Sequence, residues 1–375
     1  MMINRERLLA EFLELVQIDS ETGHEEKIAP VLKQKFAELG LEVYEDNSQP
    51  RTHYGSGNLI CTLQGNTEGP DIYFTSHMDT VTPGKGVKPI VKEDGYVYSD
   101  GTTILGSDDK AGIAALLEGI RVLKENQIPH GKIQFVITIG EESGLVGSRA
   151  LEHEKVTAEF GFCFDSNGQV GKAVIAAPYQ MKIFAKIHGK TAHAGVNPEA
   201  GISAITVASH AVSKMKLGRI DPETTANIGK FAGGRDTATN IVVDFVEIEA
   251  EARSLVEEKV LAQTEHMKKC FEEAAAQFGA SVEFNSYLQY TGYKYSEEDK
   301  IVQIAKKAIE AIGREPIFFA SGGGSDANVI SGYGIPTLNM AVGYERIHTT
   351  EERIAISELE KAAELFVSLV RTVYR

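Results

Sequence analysis

The apolar positions of this chain change their period several times, and each change marks an element. Residues 6–17 carry Leu8, Leu9, Phe12, Leu13 and Val16 at helical spacing, and 25–39 repeat the pattern with Ile28, Val31, Leu32 and Phe36. Gly40 follows, where a left-handed residue closes a helix. Short apolar runs at 41–44, 59–63 and 72–76 read as strands, and an apolar-striped helix over 110–124 leads into another strand near Ile133. Such alternation predicts a sheet covered by helices on both faces. From about Tyr179 the texture changes. Strands at 181–188, 227–231, 241–254 and 281–290 surround helices at 200–215 and 257–278, which is the ferredoxin-like order of strand, helix, two strands, helix and strand. From Asp299 helix and strand resume, ending in a helix over 357–373.

The pattern predicts an α/β fold: a mixed-sheet domain formed by 1–178 and 293–375, interrupted by an α+β domain at 179–292. Length agrees, since 375 residues would take one hydrophobic core near its size limit. The chain shows no internal repeat and no low-complexity tract.

Charge narrows the partners. With 38 basic and 53 acidic residues the formal charge is −15, which argues against a nucleic acid or an anionic membrane and welcomes divalent cations. Three cysteines, Cys61, Cys163 and Cys270, form no Cys-x-x-Cys pair; their odd number suits a reducing compartment, so a cytoplasmic location is expected. The first residues include acids and no uninterrupted apolar stretch, so neither a signal peptide nor a membrane span is expected.

Candidate chemistry sits where strands give way to loops. His77 follows Asp71–Ser76, Glu141 and Glu142 follow the run from Ile133 to Ile139, and Asp165 follows Phe160–Phe164; Asp108, Asp109 and His348 complete the set. In open α/β sheets the carboxyl ends of neighbouring strands converge on one crevice. Nitrogen and oxygen ligands without thiolates suit zinc, cobalt or manganese, and a spare acid beside them acts on water. Each segment alone carries little: a single His is more often packed than ligating, a Glu pair is ordinarily a solvated turn, and Asp108-Asp109 suits a helix N-terminus. Their joint presence points to a metal site, because burying several acids without cations is costly.

The segments His77-Met-Asp79-Thr-Val, Leu105-Gly-Ser-Asp108-Asp-Lys-Ala-Gly112, Glu141-Glu142-Ser-Gly-Leu-Val-Gly147 and Thr191-Ala-His193-Ala-Gly195 resemble the M20 metallopeptidase family, and most of all its peptidase T branch of aminotripeptidases. The match runs in order from about Leu8 to His348. The resemblance implies two divalent ions, one held by His77 and Asp165, the other by Glu142 and His348, with Asp108 as the bridge. Spacing alone does not choose Asp108 over Asp109. A shared carboxylate suits two cations roughly 3.5–4 Å apart. Glu141 would be the general base acting on a water between the metals, and Asp79 would accept the second ring proton of His77 and so fix its tautomer. By the same resemblance, His193 would reach a neighbouring subunit's site and polarise the scissile carbonyl, and Asn240 and Arg253 would contact substrate, Arg253 binding a carboxylate. The inserted domain would then serve as a lid and form a homodimer.

The loop Ser321-Gly-Gly-Gly-Ser-Asp326 lacks the Lys and the spacing of a phosphate loop. Gly324 and Ser325 are instead expected to let backbone approach a peptide. The related branch presents Arg-Gly-Gly-Thr-Asp there, whereas this chain has Ser321 or Gly322 in the place of that Arg. A charge suited to clamping a substrate's C-terminus is therefore missing. The expected activity is removal of the N-terminal residue from short peptides. A deacylase of N-acyl amino acids using the same metals, or a peptide- or metal-binding protein without turnover, are the alternatives.

Overall fold

Strand order, more than spacing along the chain, decides which strand ends meet. The computed structural model describes residues 3–234 and 238–375. The chain divides into two compact units: the first comprises the chain up to Ala176 with Tyr295–Ser321 and Ser325–Arg375, the second Ala177–Lys294 with Gly322–Gly324.

In the first unit a large mixed sheet runs in the order Glu42–Glu45, Leu59–Leu63, Ile133–Thr138, Ile72–His77, Phe160–Ser166, Thr337–Ala341 and Lys172–Ala177. Ile133–Thr138, Ile72–His77, Phe160–Ser166 and Thr337–Ala341 are mutually parallel, while the Glu42–Glu45 and Leu59–Leu63 strands join by antiparallel pairing. Four carboxyl ends therefore point to one edge. Alternation sends Phe74, Phe135 and Phe162 into the larger core and Ile60, Tyr73 and Val136 into a smaller one on the other face. Two helices, Ser107–Glu125 and Ile356–Val373, pack over the larger core, where the Phe366 ring meets that of Phe74 edge-on with centroids 4.6 Å apart. Gly119 lets these helices close, because a Cβ there would lie 2.1 Å from the Phe366 ring.

Local departures from the sequence pattern have local causes. The helix expected over 110–124 is entered through Asp108 and Asp109, whose backbone angles are not helical and whose connecting peptide is cis. The helix expected over 25–39 spans only Ile28–Glu38, because Glu25 is drawn into side-chain bonding with other loops; Gly40 follows it with φ +80°. A small sheet that the pattern does not suggest runs in the order Tyr344–Glu345, Arg353–Ala355, Tyr96–Tyr98 and Ile90–Val91. It brackets the turn that carries His348.

The second unit is one antiparallel sheet in the order Gly218–Asp221, Thr224–Gly233, Phe245–Ser254, Tyr179–His188 and Ser281–Tyr290. The helices Ala204–Lys214 and Glu257–Phe278 share a core with it through Val207, Ala211, Met267, Phe271, Ile183 and Ile248. The strand expected over 241–254 starts only at Phe245, since Ala194 N donates to Asn240 O at 2.8 Å and Val242 N to Ala192 O at 2.9 Å. The segment thus pairs with the His193 loop. The helix expected from residue 200 starts at Ala204, where the Ser203 hydroxyl accepts the N–H of Thr206. Among the described residues no helix is long and apolar enough to cross a membrane, and the three cysteines are free and buried.

Candidate metal centre

At the sheet's carboxyl edge, His77 ends its strand opposite Thr138, and Asp165 lies in the next parallel strand. Beyond Thr138 the chain turns sharply: Gly140 has φ +57° and Gly144 φ +102°, and Leu145 N returns to Glu141 O at 2.8 Å. In extended backbone Glu141 and Glu142 would point to opposite sides. The turn brings both toward His77, which shares one close ligand cluster with Glu141 and Asp165 and another with Asp108 and Glu142, ligand atoms lying within 4.8 Å of one another in each.

Asp108 stands between the imidazoles. Its Oδ1 is 3.1 Å from His77 Nε2 and its Oδ2 3.3 Å from His348 Nε2. Asp165 Oδ1 lies 3.6 Å from His77 Nε2, and Glu142 Oε1 2.9 Å from His348 Nε2. The neighbouring Asp109 lies close too, with a ligand atom within 4.8 Å of Asp108 and Asp165, but its Oδ2 accepts from the Ser76 hydroxyl and, at 3.3 Å, from His77 N. Its buried Oδ1 has no hydrogen-bond partner among the described residues.

The electrostatics are those of an anionic cage. Burial alone disfavours a charged His77, yet the facing carboxylates of Asp108, Asp165 and Asp79 outweigh it and hold its pKa well above the ordinary imidazole value. Asp108 and Glu142 raise His348 to about 10. Burial, reinforced by Asp108, pushes Glu142 up to about 7, and burial with Asp165 pushes Glu141 well above the carboxylate range. Burial would also raise Asp108, but the two imidazoles hold it below the usual range. The buried acids thus favour positive charge among them. Divalent cations fit the same donors: imidazole nitrogens and carboxylate oxygens, with a partnerless oxygen beside them.

Residues 73–372 match the model of peptidase family M20/M25/M40. The chain belongs to that family. It is 61% identical over 369 residues to the uncharacterized protein YqjE of Bacillus subtilis, covering 98% of this chain and 99% of that protein. Two solved structures match it over 100% of both chains: aminopeptidase PepT from Bacillus cereus, 58% identical with a TM-score of 0.94, and a tripeptidase from Staphylococcus aureus, 52% identical with a TM-score of 0.96.

Other expected site residues of this M20 chain have different surroundings. Asp79 is buried, and the nearest atom it offers to His77 Nδ1 is its backbone oxygen at 3.0 Å, with Oδ1 at 3.4 Å. Its carboxylate instead accepts the backbone N–H groups of Glu141 at 3.0 Å and Glu142 at 3.2 Å. Ser325 caps the helix Asp326–Gly332 in a reciprocal box with Asn328, and its hydroxyl accepts from Asn339 at 3.1 Å. Gly324 lies against Tyr290, whose ring a Cβ would approach to 2.4 Å, so packing already demands a glycine there. In the second unit His193 is exposed and faces Ile241 in an isolated bridge, next to Asn240. Arg253 Nε donates to Glu251 at 2.8 Å and Nη1 to Gly322 O at 3.4 Å.

Three supporting residues escape a reading of the sequence. Glu25, inside a predicted helix, accepts from Gly23 N at 2.9 Å, Gly55 N at 3.0 Å and Gly140 N at 3.2 Å, so it pins the turn that precedes Glu141. Tyr344 donates to Asp165 Oδ1 at 3.1 Å, and the Asn339 amide bonds both the N–H and the carbonyl of Asp165. The acid-rich stretch from Glu21 to Glu26 is a faint signal for the first; nothing local marks the other two.

Proposed function

We propose that this protein is a dimetal-dependent aminopeptidase that removes the N-terminal residue from short peptides, tripeptides among them. The carrying observation is the Asp108 carboxylate, one oxygen toward each imidazole, in a chain of a peptidase family. The substrate class is supported by full-length similarity to proteins named aminopeptidase PepT and tripeptidase.

His77 and Asp165 would hold one divalent ion, Glu142 and His348 the other, and Asp108 both; the donor set suits zinc, cobalt or manganese. When bound, such ions supply Lewis acidity, polarising the scissile carbonyl and making a water acidic near neutrality. The Glu141 carboxylate takes the proton from the attacking water and returns it to the departing amine nitrogen. Asp79 orients this chemistry from both sides, through its backbone oxygen toward His77 Nδ1 and its carboxylate toward the Glu141 and Glu142 N–H groups. The second unit would act as lid and dimer contact. In that arrangement His193 of one subunit stabilises the oxyanion at the site of the other, while Asn240, Arg253 and the Gly324-Ser325 backbone contact the peptide.

One tripeptide prepared with free or blocked ends tests the reading. The free N-terminus should be preferred over the N-acetylated form by about 10-fold or more in kcat/KM, the worth of one ionic contact of ~1.4 kcal/mol. Arg253→Ala should impair the free C-terminal acid more than the amide. Preference for the N-acetylated substrate would instead make the protein a deacylase.

A further inference from the structure

Four residues beyond His348 lies Glu352, 1% exposed, with a carboxylate committed wholly to another part of the chain. Its Oε2 accepts from Leu105 N at 2.8 Å and Gly106 N at 2.9 Å; its Oε1 accepts from the Ser107 hydroxyl at 2.5 Å and Asp108 N at 3.1 Å. Every donor belongs to the segment leading into Asp108. The acceptor sits in the turn between Tyr344–Glu345 and Arg353–Ala355, where Glu352 N donates to Thr349 O at 3.2 Å and Ser99 N donates to Glu352 O at 3.1 Å.

These contacts are not an ordinary helix cap. Gly106 is left-handed at φ +76°, and Asp108 and Asp109 are not helical, so the clamped residues precede the regular helix. A buried carboxylate is costly to desolvate unless its oxygens are satisfied, and charge-assisted bonds to backbone N–H groups are among the stronger ways of doing so. Here these bonds join the two turns that carry Asp108 and His348, whose side chains approach each other to 3.3 Å. A displacement of either turn would change the distance between those donor atoms directly.

We propose that Glu352 is a positioning residue for the dimetal centre: it locks the Leu105–Asp108 segment to the His348 turn, so that Asp108 and His348 present their donor atoms at a set separation. The inference rests on the reading of Asp108 and His348 as metal ligands. Groups that orient metal ligands in this way typically govern affinity by about 10–100-fold.

Co2+ serves as the probe, with affinity measured by competition against a chromophoric chelator and ligand geometry by the visible absorption of the bound ion. Glu352→Gln loses charge and half of the acceptor pattern, whereas Glu352→Asp keeps the charge but withdraws it by one methylene. Both should bind at least one Co2+ about 10-fold or more weakly and shift its spectrum. Ser107→Ala, which removes one donor and leaves no buried charge unpaired, should show a smaller loss in the same direction and decides the matter if the Glu352 variants do not fold. Glu118→Gln is the control. Glu118 is equally buried on the same long helix but accepts from Asn4 N and Arg7, so that variant should lose stability without changing Co2+ affinity or spectrum. Wild-type-like Co2+ binding in folded Glu352→Asp or in Ser107→Ala overturns the proposal. Failure of the wild-type protein to bind Co2+ at all would instead overturn the metal-centre reading beneath it.

Discussion

The carboxylate of Asp79 accepts the backbone N–H of Glu141 at 3.0 Å, so a residue two positions past one imidazole holds the turn that presents the adjacent pair of acids. The second oxygen of Asp79 takes the N–H of Glu142 at 3.2 Å. Asp79→Ala would leave both donors unpaired, at a cost of about 1–3 kcal/mol each if they stay buried. Turnover should fall by about 10-fold or more, and kcat should change more than KM, because the turn orients groups rather than binding the peptide. Steady-state kinetics with thermal unfolding of the same preparation checks this. An unchanged kcat in folded protein would contradict it.

The adjacent acids should separate by experiment. Glu141→Gln should keep two metals per chain and lose most turnover, while Glu142→Ala should lose affinity at one metal, since only Glu142 meets His348. Elemental analysis beside activity tells them apart. A fully active Glu141→Gln enzyme would require another base.

Metal removal should both silence and destabilise the protein. Asp108 is crowded by Glu142 in one ligand cluster and by Asp109 and Asp165 in another, and cations that bind only the folded state stabilise it by roughly 2.7–4.1 kcal/mol at 100–1,000 times their Kd. Treatment with a chelator should therefore abolish turnover and lower Tm by several degrees, and return of zinc, manganese or cobalt should restore both. Undiminished turnover in rigorously metal-free protein would remove the metals from the mechanism.

Gly119 offers a test remote from the chemistry. An added Cβ would meet the Phe366 ring at 2.1 Å, and overpacking of this kind costs about 1–3 kcal/mol. Gly119→Ala should unfold at lower denaturant while metal content per folded chain stays at two. Unchanged stability would mean that the two helices part without cost.

The dimer reading predicts complementation. His193→Ala and Glu141→Gln proteins, each nearly inactive alone, should regain activity when mixed after subunit exchange has been demonstrated, because one site of a hybrid would hold both groups. A fully active monomer in sedimentation at assay concentration would rule this out.

Much of the centre was legible along the chain, because a strand that runs into a sheet's carboxyl edge leaves an apolar, β-branched or aromatic run before its last polar residue. His77 and Asp165 carry that signature, and Glu141 and Glu142 follow it by a short turn. Ser325 and Gly324 show what it leaves out. Their loop suggests approach of the backbone to a peptide, but nothing local reveals that a helix cap occupies the serine hydroxyl and that a tyrosine ring demands the glycine.

The periodicity of apolar residues and the types of polar residue at strand ends are local properties, so the α/β alternation and a donor set of imidazoles and carboxylates could be read from the sequence by itself. Which oxygen faces which imidazole is not local. Asp108 and His348 meet only because strands distant in sequence lie side by side, and because Glu25 and Asp79 pull on the backbone of one turn while Glu352 holds another. Those hydrogen bonds join residues tens to hundreds of positions apart and follow no period. Spacing alone leaves Asp108 and Asp109 equal, with only the resemblance favouring Asp108; the folded chain, in which burial makes each unpaired donor costly, is what stands Asp108 between the two imidazoles.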